Sequence, residues 1–289
     1  MADQRPTGET IEINAEGAKL SARFYAPEGQ AKAHLVLHSA TGVPQGYYAP
    51  FADWAAKQGI GVLTYDYRDF GNSLHRPLRE SRTTFSDWVI RDQAAAEARL
   101  AELAPQGPLW MLGHSLGGMA FAFRKPDARM ERITAIGAGY TRVGDHPWSY
   151  RPFVLAFWYG VGPLATMLAG YMPGKKLSLG ADLPAGVYWQ WRRWCTSPDF
   201  YRGDIGAVLP EPDFAMEGPQ IRLLTMEDDV VVPPAAVLRY VATFPQGRVM
   251  YQKLYPYDFG LPSLRHIEVF SRRNSAAWPA ILGLYRKLE

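Results

Sequence analysis

The chain has 289 residues, of which 47% are hydrophobic and 13% aromatic, so a sizeable core is available and disorder is excluded. Lysine and arginine number 31 against 28 acidic residues, and a net charge of +3 with no long basic run gives no footprint for nucleic acid. One cysteine, Cys195, excludes an internal disulfide framework and a multi-cysteine zinc site. The start, MADQRPTGETIEINAEG, is polar and has no apolar core, which predicts no secretory leader. With a single thiol, the expected location is a reducing cytoplasm.

In chain order, residues 10–14 and 20–25 read as short strands around a Glu16-Gly17 turn. A buried strand follows in AHLVLHSATG, then a helix over 48–58 and a second buried strand in GVLTYDYR. Residues 86–103 are alanine-rich and helical, with Asp87 near the start. Next come the strand PLWML, a turn, a short helix and the strand RITAIGAG. Apolar strands alternating with helices predict a parallel sheet covered on both faces. The rhythm breaks over 140–218, a stretch rich in tryptophan, proline and glycine with no convincing strand. It returns with IRLLTM, a helix over 234–244, the strand RVMYQKL and a last helix over 276–287. The expected organisation is an α/β core in two parts, 1–139 and 219–289, interrupted by a helical cap insertion over 140–218.

The sharpest motif is Gly113-His114-Ser115-Leu116-Gly117-Gly118, directly after PLWML. G-x-S-x-G at a strand-to-helix junction is a nucleophile elbow. The turn forces Ser115 into strained backbone space and exposes its hydroxyl. Gly113, Gly117 and Gly118 remove side chains that would clash, and a helix N-terminus behind the serine would favour negative charge. A serine nucleophile needs a base, and the base an orienting acid, in the chain order Ser, Asp or Glu, His on this scaffold. Only His146 and His266 follow Ser115. His266 lies after the last strand, where a base at the sheet edge must come from; His146 has no strand to place it. The acid should follow the penultimate strand, where Glu227, Asp228 and Asp229 stand. Asp229 is the expected acid, Asp228 the alternative and Asp145 a distant third. The oxyanion hole is expected from the backbone N–H groups of Leu116 and Ala40. Thr41 could add a hydroxyl, and His38 is expected to be structural.

The segments HSATG, YDYRDFGNS, GHSLGG, EDDVVVP and RHIEVF together resemble the alpha/beta-hydrolase superfamily. Within it the chain is similar to the serine-aminopeptidase-like and lysophospholipase-like branch. GYMPGKKLSLGADLPAGV and QWRRWC resemble the bacterial "predicted alpha/beta hydrolase" group, whose substrates are unassigned. The resemblance implies a mostly parallel eight-stranded sheet with helices on both faces and a cap over a serine hydrolase site. Two departures stand out. Ser39 occupies a position where the family often has glycine, and Asp69 replaces the first glycine of D-x-R-G-x-G-x-S. Aspartate tolerates a left-handed backbone, so function is not expected to be lost. Asp66 and Arg68 are expected to form a structural pair. Gly137-Ala138-Gly139 does not complete G-x-G-x-x-G, and G-x-x-x-x-G-K-[ST] and H-E-x-x-H are absent, so neither a cofactor nor a metal is expected.

Residues 153–172 carry no charge and are long enough to span a bilayer. Gly160, Gly162, Pro163 and Gly170 favour instead a pair of short buried helices, with a lipid-facing cap surface as the other reading. Tyr188, Trp191 and Cys195 recur on one helical face, and so aromatic a cap would wall an apolar pocket. Lys175, Lys176, Arg192 and Arg193 read as a solvated rim that could also meet a phosphate. The expected function is a serine hydrolase of a lipophilic carboxylic ester or thioester. The alternatives are an acyltransferase with the same triad and a non-catalytic binding protein on the same fold. Membrane contact is a minor expectation, and the sequence assigns no oligomeric state.

Overall fold

The computed structural model describes residues 8–284. The first residues of the polar start and the end of the expected last helix lie outside the described residues. Eight strands form one sheet in the order β1-β2-β4-β3-β5-β6-β9-β10. They are β1 (Glu9–Ala15), β2 (Ala18–Tyr25), β3 (Ala33–His38), β4 (Ile60–Tyr65), β5 (Leu109–His114), β6 (Met130–Ile136), β9 (Gln220–Met226) and β10 (Val249–Leu254). β7 (Tyr171–Met172) and β8 (Leu183–Pro184) form a separate two-residue pair. β2 runs antiparallel to β1 and β4, and the other pairings are parallel. The mostly parallel eight-stranded sheet expected from the sequence is therefore present.

β4 and β5 are buried at every position, as their unbroken apolar runs require of strands covered on both faces. One face packs under α1 (Ala49–Lys57) and α7 (Trp278–Ile281), where Phe51, Trp278 and Ile281 meet Leu35, Val62 and Leu112. The other lies under α2 (Gln93–Leu103) and α6 (Pro234–Val241), through Ala96, Leu100, Val237 and Tyr240. Because β3, β5, β6, β9 and β10 are parallel neighbours, the loops after them gather at one sheet edge. Ser115, Gly137, Asp229 and His266 all arrive there.

Between β6 and β9 the chain carries α3 (Arg151–Tyr159), α4 (Val161–Ala169) and α5 (Ala185–Thr196). The uncharged run does break into two helices, at Gly160, where φ is −119° and ψ −104°. They are not buried, however: only 28% of the Arg151–Ala169 stretch lies inside the protein. Val154, Trp158, Gly162 and Thr166 face inward, and the rest of the run is left outside.

Three further expectations are corrected. The segment after Ser115 makes only two 3₁₀ turns, Ser115–Gly118 and Phe121–Phe123, before β6 begins. Two glycines followed closely by Pro126 and a new strand leave no room for a full helix, so no macrodipole stands behind the nucleophile. The last helix is short, a 3₁₀ stretch at Arg272–Ala277 leading into α7, and Gly283 in a left-handed conformation (φ 67°) stops it. Asp66 and Arg68 do not pair with each other. Asp66 accepts the N–H groups of Gln45 (2.7 Å) and Asn72 (2.9 Å), while Arg68 pairs with buried Asp92 (2.6 Å). Asp69 does take the left-handed backbone, with φ 54°.

Candidate active site

The elbow forms because β5 meets its turn at three glycines. Ser115 has φ 56°, in the left-handed region. A Cβ on Gly117 would sit 2.3 Å from the His38 carbonyl oxygen, and one on Gly113 2.4 Å from Gly118 Cα. A Cβ on Gly118 would meet Ala135 of β6 at 2.7 Å. The nucleophile turn is thus clamped between the loop after β3 and the neighbouring strand, and any side chain there would push them apart.

Ser115, His266 and Asp229 come together. His266 Nδ1–H donates to Asp229 Oδ2 at 2.7 Å, which leaves Nε2 as the acceptor for the Ser115 hydroxyl at 2.9 Å. The other carboxylate oxygen of Asp229 accepts the N–H groups of Val231 and Val232, both at 2.8 Å, so the acid is held independently of the histidine. Asp229 and His266 are buried, whereas Ser115 is partly open to a cavity of about 330 Å³. Gly137, with φ 60°, lies under the imidazole: a Cβ there would meet His266 Cε1 at 3.0 Å.

The alternative acids lie elsewhere. Asp145 pairs with Arg239 at 2.8 Å. Asp228 accepts the N–H groups of Leu264 (2.9 Å) and Arg265 (3.0 Å) and pins the loop that delivers His266. That loop is held at successive residues. Tyr47 donates its hydroxyl to the Ile267 carbonyl at 3.0 Å, and Asn274 donates to the carbonyls of Leu264 (3.1 Å) and Glu268 (2.9 Å).

His114, the variable residue of the elbow, proves to be part of the same support, and nothing in the sequence pattern marks it. Its Nε2–H donates to the His266 carbonyl at 2.9 Å. Burial, followed by the nearby His266, holds its pKa well below the ordinary imidazole range, so the ring is neutral and Nδ1 must accept. It accepts the Tyr48 hydroxyl at 2.7 Å. The Tyr48 oxygen in turn accepts the Ala40 N–H at 2.9 Å.

This chain corrects the expected oxyanion hole. The Ala40 N–H points at fully buried Tyr48 and not into the cavity. The next residue, Thr41, lines the cavity with Ser115 and Leu116. Its hydroxyl is buried with no partner, and among the described residues no acceptor meets its N–H. His38 is structural as expected, held between Tyr65 (2.7 Å) and Glu97 (3.1 Å). Burial raises the Glu97 carboxyl, but Arg124 at 2.6 Å and then His38 outweigh it and bring the pKa down to about 2.

The cavity walls come largely from the insertion. Tyr150, Phe153, Phe157, Trp158 and Trp191 face Met119 and Val231 across it. His146, which had no evident role in the sequence, also lines the cavity, with Nδ1–H donating to the Val230 carbonyl at 2.8 Å. Cys195 is half-buried on the same wall, and desolvation pushes its thiol up to about 12. Among the described residues no group of three or more His, Cys, Asp or Glu side chains is placed to hold a metal ion.

Comparisons with known proteins agree with this architecture. Monoglyceride lipase from Rattus norvegicus is 28% identical over 108 residues, which are 37% of this chain and 34% of the relative. The match therefore spans about a third of that protein. Among solved structures, a soluble variant of monoglyceride lipase from Saccharomyces cerevisiae in complex with a substrate analog superposes with a TM-score of 0.63. Identity is 14%, over 99% of each chain. The enol-lactonase of Burkholderia xenovorans LB400 gives a TM-score of 0.59 at 18% identity, over 95% of this chain and 99% of the other. The family model described as "Alpha/beta hydrolase family" matches residues 35–272, most of the sequence, and the chain belongs to that family.

Proposed function

We propose that the protein hydrolyses a lipophilic carboxylic ester or thioester through an acyl-enzyme on Ser115. The observation that carries the reading is the unbroken line from Asp229 through His266 to Ser115, 2.7 and 2.9 Å, opening into a mostly apolar cavity. The Ser115 oxygen attacks the acyl carbon as its proton passes to His266 Nε2. The imidazolium formed is stabilised by Asp229 through Nδ1–H. Collapse of the tetrahedral intermediate expels the alcohol or thiol, which takes that proton. Water then attacks the acyl-serine by the same route in reverse and releases the carboxylic acid. Leu116 N–H and Thr41, which offers a backbone N–H and a hydroxyl with no other partner, are proposed to hold the oxyanion.

Ser115→Ala should keep the fold, since only a small hydroxyl is lost, and lower turnover by about three or more orders of magnitude. A fluorophosphonate should add to the wild-type protein and not to this variant, read by intact mass. Labelling of neither would count against an enzyme and for a binding protein on this fold.

Asp229→Asn presents the wrong histidine tautomer, and kcat should fall by about 10⁴. Asp228→Asn leaves an acceptor for only one of the Leu264 and Arg265 N–H groups, which bond to different carboxylate oxygens, but it does not touch the imidazole, so its loss should be much smaller. The opposite ranking of the two kcat values would move the acid to Asp228.

Thr41→Val removes the hydroxyl and keeps the volume. If Thr41 completes the hole, kcat should fall about a hundredfold with KM little changed. An unchanged kcat would leave the hole to backbone N–H groups alone.

The substrate class is tested with an ester series. Each methylene buried in the cavity contributes about 0.8 kcal/mol, or about fourfold in kcat/KM. The value should climb from acetyl to medium-chain esters and level off once the cavity is full. A flat series would remove the acyl-pocket reading while leaving the triad assignment standing.

A further inference from the structure

Fifteen large apolar side chains are exposed among the described residues, and eight of them lie between Trp148 and Leu168. Leu168 is 80% exposed, Trp148 81% and Met167 64%, and Leu164, Tyr159 and Leu155 add to the same region. Elsewhere the exposed apolar residues are scattered, which needs no explanation; a concentration on one helix pair does. Packing against the core does not account for it, because the inward face is supplied by a different set, including Val154 and Trp158.

Charge selects the occupant. From His146 to Ala181 there is no carboxylate, while Arg151, Lys175 and Lys176 are cationic. Among the described residues none of these three side chains has an acidic partner. Arg151 donates to the carbonyls of His146 and Gly144 and stacks on Trp148 at 4.2 Å, so its charge is not neutralised. Lys175 and Lys176 are exposed. At one edge Asp182 accepts the Lys175 backbone N–H at 2.9 Å, but the three unpaired cationic side chains outnumber it, and an apolar face with such a rim complements an anionic lipid surface. Helix length sets the depth. α3 and α4 have 9 residues each, so each is about 13.5 Å long and cannot cross a hydrocarbon core of about 30 Å. The break at Gly160 prevents them from acting as one span.

The face is continuous with the catalytic cavity. Phe153 lines that cavity and is 43% exposed, and Phe157, one turn on, lines it too. We propose that the outer face of the α3–α4 pair docks shallowly on an anionic membrane surface, with the cavity mouth beside the lipid. The inference stands on exposure and charge and is independent of the reaction assigned to Ser115.

The test is flotation of the whole protein with phosphatidylcholine vesicles, with and without phosphatidylglycerol. Wild-type protein should float with the mixed vesicles and release in high salt. Leu164→Asp with Leu168→Asp, both outside the cavity wall, should weaken binding at least about tenfold. Their exposure makes unfolding unexpected, and an unchanged melting temperature would verify this. Lys175→Gln with Lys176→Gln should weaken binding to mixed vesicles about 30-fold, at about 1 kcal/mol per lysine, and leave binding to neutral vesicles unaltered. Both variants should hydrolyse a water-soluble ester at the wild-type rate. Wild-type protein that floats with neither vesicle, or an aspartate variant that floats like wild type, would overturn the proposal. So would a wild-type dimer in sedimentation equilibrium that the aspartate pair dissolves, since the face would then belong to a second copy. Vesicle binding is read without turnover, so an inactive protein that floats would leave this inference intact.

Discussion

The close approach of the elbow to its neighbours is the constraint on which the site depends. At Gly117 the turn touches the backbone of His38 and Ser39, with a Cβ position 2.3 Å from one carbonyl oxygen and 2.8 Å from the other. The turn that bears Ser115 and the loop proposed to carry the oxyanion donors are therefore one packed unit. Ser115 holds a left-handed backbone that costs roughly 1–3 kcal/mol, and it persists because β5, β6 and the loop after β3 close around it. With only two 3₁₀ turns after the serine, the electrostatic support for an oxyanion must come from individual donors rather than from a helix.

The buried chain from Ala40 through Tyr48 and His114 to the His266 carbonyl ties that unit to the base. Each member has one orientation that satisfies its neighbours. The His266 carbonyl can only accept, so His114 must donate from Nε2, and the Tyr48 proton must then point to Nδ1. A charged His114 would break this order, and burial keeps it neutral. Asp228 performs a parallel task from the other side by holding Leu264 and Arg265. The two acids that stand side by side in sequence thus divide the work. One orients the imidazole, and the other orients the backbone that bears it.

Local patterns made much of this legible. The apolar runs of β4 and β5, the glycines of the elbow and the order Ser, Asp, His each follow from a rule that acts over a few residues. The misreadings share a different origin. Ala40 stands in the loop after β3 where an oxyanion donor is expected, but its N–H is taken by a tyrosine eight residues on, which no short-range rule announces. Asp66 and Arg68 look paired because they are close in sequence, yet both lie just beyond the end of β4, where the chain leaves the strand and each meets a different partner. His114 and His146 carry no sequence signal because their roles lie in partners more than 60 residues away. The uncharged run was legible as two helices and not as an exposed pair, because composition reports apolarity without saying what covers it.

The cap and the oxyanion loop are also one mechanical unit. The Ala181 N–H donates to the Gly42 carbonyl at 3.0 Å, one residue beyond Thr41, and Leu179 of the same cap segment lines the cavity. A displacement of this segment would carry that bond with it and disturb the loop proposed to receive the oxyanion. Any substrate that enters beside α3 would therefore pass a wall coupled to the proposed oxyanion donors. The same helix presents Phe153 and Phe157 to the cavity and Leu155 and Tyr159 to the outside. The two sets are offset by two residues, about half a turn and about 3 Å along the axis. An acyl chain held against the outer surface would need to move little more than the thickness of one helix to reach the cavity beside Ser115. The cost of leaving so much apolar surface uncovered is thus tied by geometry to the path along which an apolar substrate would approach.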